Sequence, residues 1–329
     1  MLAGAAPAAA FDDAELQRTL AREMRGATPA SGAYVRDLDA DRTLFSVRAG
    51  SGRVPASVEK LFTTATSLLR LGPGTTLDTA AVSSATVDAT GVLRGDLVLV
   101  GAGDPFFGAE AAAKLARAVR AAGVTRVEGA VVGDESRFDR RRAGCCAGYD
   151  TDLGGVLSAL AYDRGFSAGK LQLDAAHFAA TRFAGLLKVA GVRSGEPARA
   201  GSAARDAGTI AVASSMDVRN LIRFVNVPSN NFAAEMLLKD LGARYRFSGT
   251  TRSGAAVVRD TLARIAVRPT VRDGSGLSRS NRATPRDVVR LLERMDLPDV
   301  GGVFRASRRS ARRRAGACRP RSRGRRPAR

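Results

Sequence analysis

A serine and a lysine three positions apart are the residues of this sequence best suited to covalent catalysis. Ser57 and Lys60 lie in the segment P-A-S-V-E-K, the apolar residues that follow recur at helical spacing, and Gly72-Pro73 predicts the helix end. On a helix, this spacing places the hydroxyl and the amine on one face. An uncharged lysine can then take the proton of the serine and make it a nucleophile. Taken alone, the pattern also fits a solvated Ser and Lys on an ordinary helix.

A second polar segment, V-P-S-N-N-F, comes far later in the chain and adds candidate residues. Ser229 and Asn231 lie two positions apart. In an extended backbone, side chains at this spacing point the same way, so we expect both to face one site. The next residues predict a helix with an apolar face that ends near Gly242.

A glycine-rich segment, R-D-G-S-G-L-S, forms the third element at residues 272–278. It leads into a predicted helix that Thr284 caps and Pro285 begins. S-x-x-K combined with a later S-x-N is a known pairing of penicillin-interacting enzymes. The three segments together are therefore much more specific than any one of them.

The chain resembles the class C, low-molecular-mass penicillin-binding proteins, which are D-alanyl-D-alanine carboxypeptidases and endopeptidases of bacterial cell walls. Beyond the three segments, G-D-L-V-L-V-G-A-G-D-P at 95–105 and V-E-G-A-V-V-G-D-E-S-R-F-D at 127–139 are similar to segments of that family. The resemblance covers roughly residues 28–300. It implies peptidoglycan stem peptides ending in D-Ala-D-Ala as substrates, β-lactams as inhibitors, and no cofactor or metal.

The resemblance also implies roles for individual residues. Ser57 would be the acylated nucleophile and Lys60 its base, whereas Ser229 would relay protons and Asn231 would orient Lys60 and the substrate amide. The candidate substrate-binding residues are Asn230, Asp273, Ser275 and Gly276. Lys60 must be neutral to act as a base, and burial and a second nearby cation would both lower its pKa.

The order of predicted elements suggests an α/β (α+β) catalytic domain made of both chain ends, with a β-rich domain inserted between them. The resemblance implies that the catalytic domain has the penicillin-binding or serine β-lactamase-like fold. We expect an amphipathic helix at 11–26, a β-hairpin at 32–48 and a helix at 109–122, with short strands and loops at 150–215 and helices again after residue 217. The predicted boundaries are a signal-peptide remnant at 1–10, a discontinuous catalytic domain at 11–75 and 210–302, an inserted domain at 76–209, and a disordered tail at 303–329.

The third sequence element of the family, Lys-Thr-Gly or a close variant on a strand, is not found after the glycine-rich segment. Arg193-Ser194-Gly195 and Arg252-Ser253-Gly254 have a similar form but precede that segment. The missing strand would supply an oxyanion donor and a cation for the substrate carboxylate, so we expect impaired turnover.

An arginine-rich segment stands where that strand is expected. Of the formal net charge of +20, twelve charges come from arginines in residues 305–329, which contain no acid. One interpretation is a frameshift in a GC-rich gene after about codon 302, and the alternative is a genuine basic tail. Arginine clusters bind polyanions, but no aromatic residues alternate with these, which argues against specific nucleic-acid binding.

The resemblance implies an extracytoplasmic protein, and the N-terminus has a pattern that fits. Its A-x-A pattern before Phe11 is similar to the end of a truncated secretory signal, although a disordered alanine-rich start is the alternative. No apolar run approaches the ~20 residues that span a membrane. The cysteines Cys145, Cys146 and Cys318 lack metal-ligand spacing, and His177 is predicted to lie in a strand and turn, outside catalysis.

Three functions remain open at this point. The first is a serine D-Ala-D-Ala carboxypeptidase or endopeptidase that forms an acyl-enzyme. The second is a non-catalytic relic that still binds peptidoglycan or penicillin, and the third is a polyanion binder that uses the arginine tail. Covalent labelling of Ser57 by penicillin would separate the first two functions from the third.

Overall fold

The computed structural model describes residues 12–144 and 151–296. The predicted signal remnant, the three cysteines, the arginine tail and the place of the missing third element all lie outside these ranges. The eight helices of the described ranges are α1 (Asp13–Gly26), α2 (Glu59–Leu71), α3 (Ala109–Ala121), α4 (Ala175–Val189), α5 (Val218–Asn226), α6 (Asn231–Arg246), α7 (Thr251–Ala263) and α8 (Pro285–Arg294).

The strands are short and belong to four small sheets. They are β1 (Ala33–Asp37), β2 (Arg42–Val47), β3 (Thr79–Ser83), β4 (Val92–Leu93), β5 (Leu97–Val100), β6 (Arg126–Val127), β7 (Val131–Asp134), β8 (Phe166–Ser167), β9 (Lys170–Leu171), β10 (Arg193–Ser194), β11 (Arg199–Gly201) and β12 (Gly208–Ala213). Short 3-10 helices occupy Ala56–Val58, Thr151–Leu153 and Tyr162–Gly165. The mixed α/β fold agrees with the predicted fold class.

Helices from both ends of the chain enclose one apolar core. Phe62 and Leu68 of α2 pack with residues of α5, α6 and α7, and Leu291 of α8 completes the cluster. The capping pattern of α8 is as predicted, because the Thr284 hydroxyl and the Asp287 carboxylate cap each other's backbone N–H groups. This core holds the helix that carries Ser57 and Lys60.

The predicted hairpin at 32–48 is confirmed as the antiparallel pair β1–β2. It contacts α1 and α8. In the described part of the chain before α2, β1 and β2 are the only strands, and they form a sheet of two strands by themselves. Its edges carry the backbone groups that a further strand could pair with.

A five-stranded mixed sheet occupies the middle of the chain, in the order β11-β7-β5-β3-β12. Along β5, Leu97 and Leu99 belong to one apolar cluster and Val98 to another, as expected for a strand buried on both faces. Helices α3 and α4 contact each other and pack on the sheet. A three-stranded parallel sheet, β10-β6-β4, completes this region.

The prediction of only strands and loops at 150–215 was wrong, because α4 lies within it. The Asp174 carboxylate accepts a hydrogen bond from the His177 N–H and so begins the helix. His177 is exposed in the first turn of α4 and does not belong to a strand. The segment looked irregular because α4 buries mostly alanines, and its apolar face is stabilised by packing against β7 and α3.

Helix α6 also runs further than predicted, to Arg246, with Phe247 in the left-handed conformation after it. Gly242 therefore does not end the helix. A Cβ at Gly242 would lie 2.6 Å from the Ser248 carbonyl oxygen and 2.8 Å from the Gly254 nitrogen. The glycine is thus explained by the close approach of α7 to α6.

Candidate active site

Ser57 lies on the single turn of 3-10 helix that leads into α2. The turn begins after Pro55, and Ala56 has a positive φ of 47°. Strained backbone of this kind is uncommon for a residue with a side chain and occurs often at functional sites. The Ser57 side chain is exposed, so a substrate can reach the hydroxyl.

Lys60 is buried and lies against Ser57. Its Nζ is 3.2 Å from Ser57 Oγ and donates a second hydrogen bond, 2.5 Å long, to the Ser275 carbonyl oxygen. Only 2% of the residue is exposed. Burial lowers the pKa of Lys60 from 10.5 to about 8. The geometry therefore brings a partly neutral amine to a serine hydroxyl, as the spacing predicts.

In the described part of the chain, the charged groups that shift the pKa of Lys60 are carboxyl groups. The second cation would come from the missing third element, whose place lies outside that part. The carboxyl groups of Glu235, Asp273 and Glu59 all raise the pKa of Lys60, and burial outweighs them. The pKa values of two of these acids, Glu59 and Glu235, are also shifted. Burial is the main cause and repulsion by nearby carboxyl groups is the next. Together they raise the pKa of Glu59 to about 9 and that of Glu235 to about 7. Protonation of these two groups removes negative charge that would otherwise keep Lys60 protonated.

The glycine-rich loop forms the wall opposite Lys60. The Asp273 carboxylate accepts hydrogen bonds from the Gly276 and Ser278 N–H groups and from the Asn281 side chain. Thr63, one turn after Lys60, donates to the Gly274 carbonyl at 3.2 Å. Asp273 and Ser275 are both about 1% exposed, so in this structure their contacts are with the protein interior and they help to hold the shape of the loop.

Gly276 fixes how closely this loop approaches the serine turn. Its φ is +89°, and a Cβ there would lie only 1.9 Å from the Ala56 carbonyl oxygen. Any side chain would therefore displace the loop or the Ser57 turn. The roles of Asp273, Ser275 and Gly276 in binding substrate stay predictions, whereas their part in shaping the wall of the site is visible here.

Ser229, Asn230 and Asn231 form the turn between α5 and α6. The backbone is not extended as expected, because Ser229 has a φ of 58° and Asn231 is the first residue of α6. Asn230 is the N-cap, and its side-chain oxygen accepts from the Ala233 N–H at 3.0 Å. The Asn230 cap begins α6 at this point, so the extended backbone that would direct the Ser229 and Asn231 side chains to one side does not form.

The turn that carries Ser229 lies beside α2. Asn226, at the end of α5, is 3.2 Å from the hydroxyl of Thr64, which in turn donates to the Lys60 carbonyl. The Asn231 amide nitrogen donates to the Asp152 carbonyl at 2.7 Å. Ser229 is exposed. Among the described residues, hydrogen bonds join Ser57, Lys60 and Ser275 directly, and the roles of Ser229, Asn230 and Asn231 stay predictions.

Glu59 and Glu235 are site residues that the sequence reasoning missed. Both are completely buried, and Glu235 accepts hydrogen bonds from the Gly274 and Ser275 N–H groups. A signal was present, since Glu235 stands between Ala234 and Met236 in a helix whose central positions are otherwise mostly apolar. An acid inside such a run is expected to have a specific buried partner.

No group of three or more His, Cys, Asp or Glu side chains in residues 12–144 and 151–296 is arranged to hold a metal ion. In the same ranges, no helix has the length and apolar character needed to cross a membrane.

Comparison with known proteins gives one consistent set of relatives. The model of the D-Ala-D-Ala carboxypeptidase 3 (S13) family matches residues 13–154 and 166–305. A D-alanyl-D-alanine carboxypeptidase of an Actinomadura species is 28% identical in an alignment of 343 positions that covers 80% of this chain and 64% of that protein. The chain therefore spans less than two thirds of the length of this relative.

Solved structures show the same fold. Penicillin-binding protein 4 of Haemophilus influenzae superposes with a TM-score of 0.71 at 17% identity, covering 87% of this chain and 78% of that one. A second structure of that protein, in complex with a β-lactam, gives a TM-score of 0.69 at 16% identity over 90% of this chain and 79% of the other.

Proposed function

Because the chain belongs to the D-Ala-D-Ala carboxypeptidase 3 family, we propose that it cleaves peptidoglycan stem peptides ending in D-Ala-D-Ala through an acyl-enzyme on Ser57. The observation that carries this proposal is the contact of a buried lysine amine with an exposed serine hydroxyl at 3.2 Å. Burial lowers the pKa of Lys60 to about 8, so part of the amine is neutral near pH 7 and can take the proton of the serine.

In the first half of the proposed reaction, Lys60 Nζ takes the proton of Ser57 as Oγ attacks the carbonyl carbon of the penultimate D-alanine. The Ser275 carbonyl accepts one N–H of the amine, which leaves the lone pair for the serine proton. The C–N bond then breaks, the proton passes to the leaving amine, and D-alanine departs. Water completes the cycle by hydrolysing the ester, and Lys60 acts as the base again.

Ser229 and Asn231 complete the proposed machinery. Ser229 would pass the proton between Lys60 and the leaving group. Asn231 uses its amide N–H₂ group on the Asp152 carbonyl, so its side-chain oxygen can accept from the N–H of the substrate amide. Asn230, Asp273, Ser275 and Gly276 would line the substrate site, the last three by holding the loop against the Ser57 turn.

We further propose that complete turnover is slow. No lysine follows Lys239 in the sequence, and therefore no Lys-Thr-Gly element follows the glycine-rich loop. Without the second oxyanion donor that such a strand supplies in the family, a loss of about 10²–10³ in rate is expected. The same feature favours a second candidate function, a non-catalytic relic that still binds penicillin or peptidoglycan but does not turn the peptide over.

The proposed location is extracytoplasmic, since peptidoglycan lies outside the cytoplasmic membrane. β-Lactams are proposed inhibitors, because they present a reactive amide to the same serine. The polyanion-binding alternative depends on residues outside the described ranges and gains no support from the site.

The direct test is release of D-alanine from a pentapeptide ending in D-Ala-D-Ala, measured for the wild type and for Ser57→Ala. We expect slow release that the substitution abolishes, and acylation by penicillin that is also lost. Acylation without measurable release would identify the relic. Release that persists in Ser57→Ala would reject the serine mechanism.

A further inference from the structure

The glycine-rich loop is attached to the site by a buried carboxyl group. Glu235 of α6 is completely buried, and its Oε1 accepts hydrogen bonds of 2.9 Å from both the Gly274 and the Ser275 N–H groups. These are two consecutive backbone donors of one loop. Two donors on one oxygen fix both the position and the orientation of the peptide that joins them.

The same peptide segment carries the carbonyl that holds the catalytic amine. Ser275 donates its N–H to Glu235 and accepts from Lys60 Nζ at 2.5 Å. Lys60 Nζ in turn lies 3.2 Å from Ser57 Oγ. A continuous path of hydrogen bonds therefore runs from the interior of α6, through the loop, to the nucleophile.

We propose that Glu235 is a positioning residue for acylation, because its buried carboxyl group holds the Ser275 carbonyl where it directs the Lys60 amine at Ser57. This inference deepens the proposed function and depends on it for the acylation step. Lys60 has four side-chain torsions, so without a fixed carbonyl it can turn its lone pair away from the serine. A displacement of about 1 Å at a reacting group can reduce a rate by about 10²-fold.

The variants are chosen to separate positioning from stability. Glu235→Gln keeps an oxygen acceptor of the same shape, whereas Glu235→Ala removes it. Asp240→Asn is the matched control, since Asp240 is an equally buried carboxyl group on α6 that binds Arg137 and Arg244 instead of the loop. Loss of a buried ionic partner should destabilise this control without moving Lys60.

The acylation arm measures the second-order rate of labelling of Ser57 by fluorescent penicillin, normalised to folded protein. Glu235→Ala is expected to react at least about tenfold more slowly than wild type. Glu235→Gln is expected to stay within about threefold, because its oxygen still accepts both N–H groups. Asp240→Asn is expected to match the wild type. Equal rates in Glu235→Ala and Asp240→Asn would overturn the proposal.

The second arm needs no enzymatic activity and follows backbone amide hydrogen exchange at Gly274 and Ser275. Exchange should accelerate at least about tenfold in Glu235→Ala and remain slow in Glu235→Gln and Asp240→Asn. Unchanged exchange in Glu235→Ala would show that Glu235 does not hold the loop. If exchange changes as expected but the wild type is never acylated, the proposed function fails while the attachment of the loop to Glu235 stands.

Discussion

Helices α4 and α6 have nearly the same length, 15 and 16 residues, yet they bury different chemistry. The buried residues of α4 are alanines, Phe183 and Leu187, and they pack against a sheet. Those of α6 include Glu235, Lys239 and Asp240. Burying an ionisable group is unfavourable unless it has a partner, so each of these three side chains of α6 is expected to have one.

The partners of the α6 charges show what each does. Asp240 binds Arg137 and Arg244, and Lys239 binds Asp139, so these two residues tie α6 to the middle region of the chain. Glu235 instead binds the loop that holds Lys60. The α4 region is stabilised mainly by apolar packing, with the Asp174 carboxylate capping the helix, whereas buried polar side chains of α6 hold neighbouring segments, including the loop that carries the Ser275 carbonyl.

Replacing the base should give the largest effect at the site. We expect Lys60→Met to lower the rate of acylation of Ser57 by at least about 100-fold, since general base catalysis contributes about 10²–10⁴. Methionine has a similar length and is apolar, so the melting temperature should not fall. The measurement is the rate of penicillin labelling, with circular dichroism to confirm folding. Labelling at the wild-type rate would show that Lys60 is not the base.

A substitution in the α4 region should lower stability and leave the rate of acylation unchanged. Phe183 is completely buried, and Phe183→Ala is expected to lower the free energy of unfolding by about 3–5 kcal/mol because it leaves a cavity. Acylation per folded molecule should stay at the wild-type rate. Urea denaturation and penicillin labelling measure the two quantities. A strong loss of labelling in the folded fraction would mean that the two regions are coupled more tightly than their contacts indicate.

Acylation should also depend on pH through Lys60. Only the neutral amine acts as a base, and the pKa of Lys60 is lowered to about 8. The rate should therefore rise about tenfold between pH 6 and pH 7 and level off above pH 8. A rate that is flat across this range would contradict a titrating lysine base.

Glu59 should give the smallest effect on acylation and should be visible in stability instead. Its pKa is raised to about 9 in the folded protein, so folding keeps a proton on Glu59 that the unfolded chain releases above about pH 4.5. This group therefore contributes less and less to stability as pH rises from about 4.5 to 9. Glu59→Gln should melt like the wild type at pH 5 and at a higher temperature at pH 8. Equal melting temperatures at both values would show that Glu59 is not forced to remain protonated.

The sequence reveals the reacting residues more readily than the groups that position them. Ser57 and Lys60 are adjacent through local helical spacing, which a sequence displays. The partners of Lys60 are not local, since Ser275 is 215 residues away and Glu235 acts through that loop. Burial sets their charge states, and burial depends on tertiary packing that composition does not show.

The same contrast explains the errors in the fold. The hairpin β1–β2 and the cap of α8 were predicted correctly because turn and capping residues act over a few positions. Helix α4 was missed because its alanine-rich face is stabilised by a distant strand. The end of α6 was placed too early because Gly242 serves a contact between helices, which cannot be distinguished from a helix end in one sequence.

The central claim is that a buried neutral amine activates the Ser57 hydroxyl. The most direct measurement is mass-spectrometric mapping of the adduct that penicillin G forms with the protein at pH 8. We expect one covalent adduct per molecule, on Ser57, that is absent in Ser57→Ala and nearly absent in Lys60→Met. An adduct on another residue, or one that forms equally well in both variants, would contradict it.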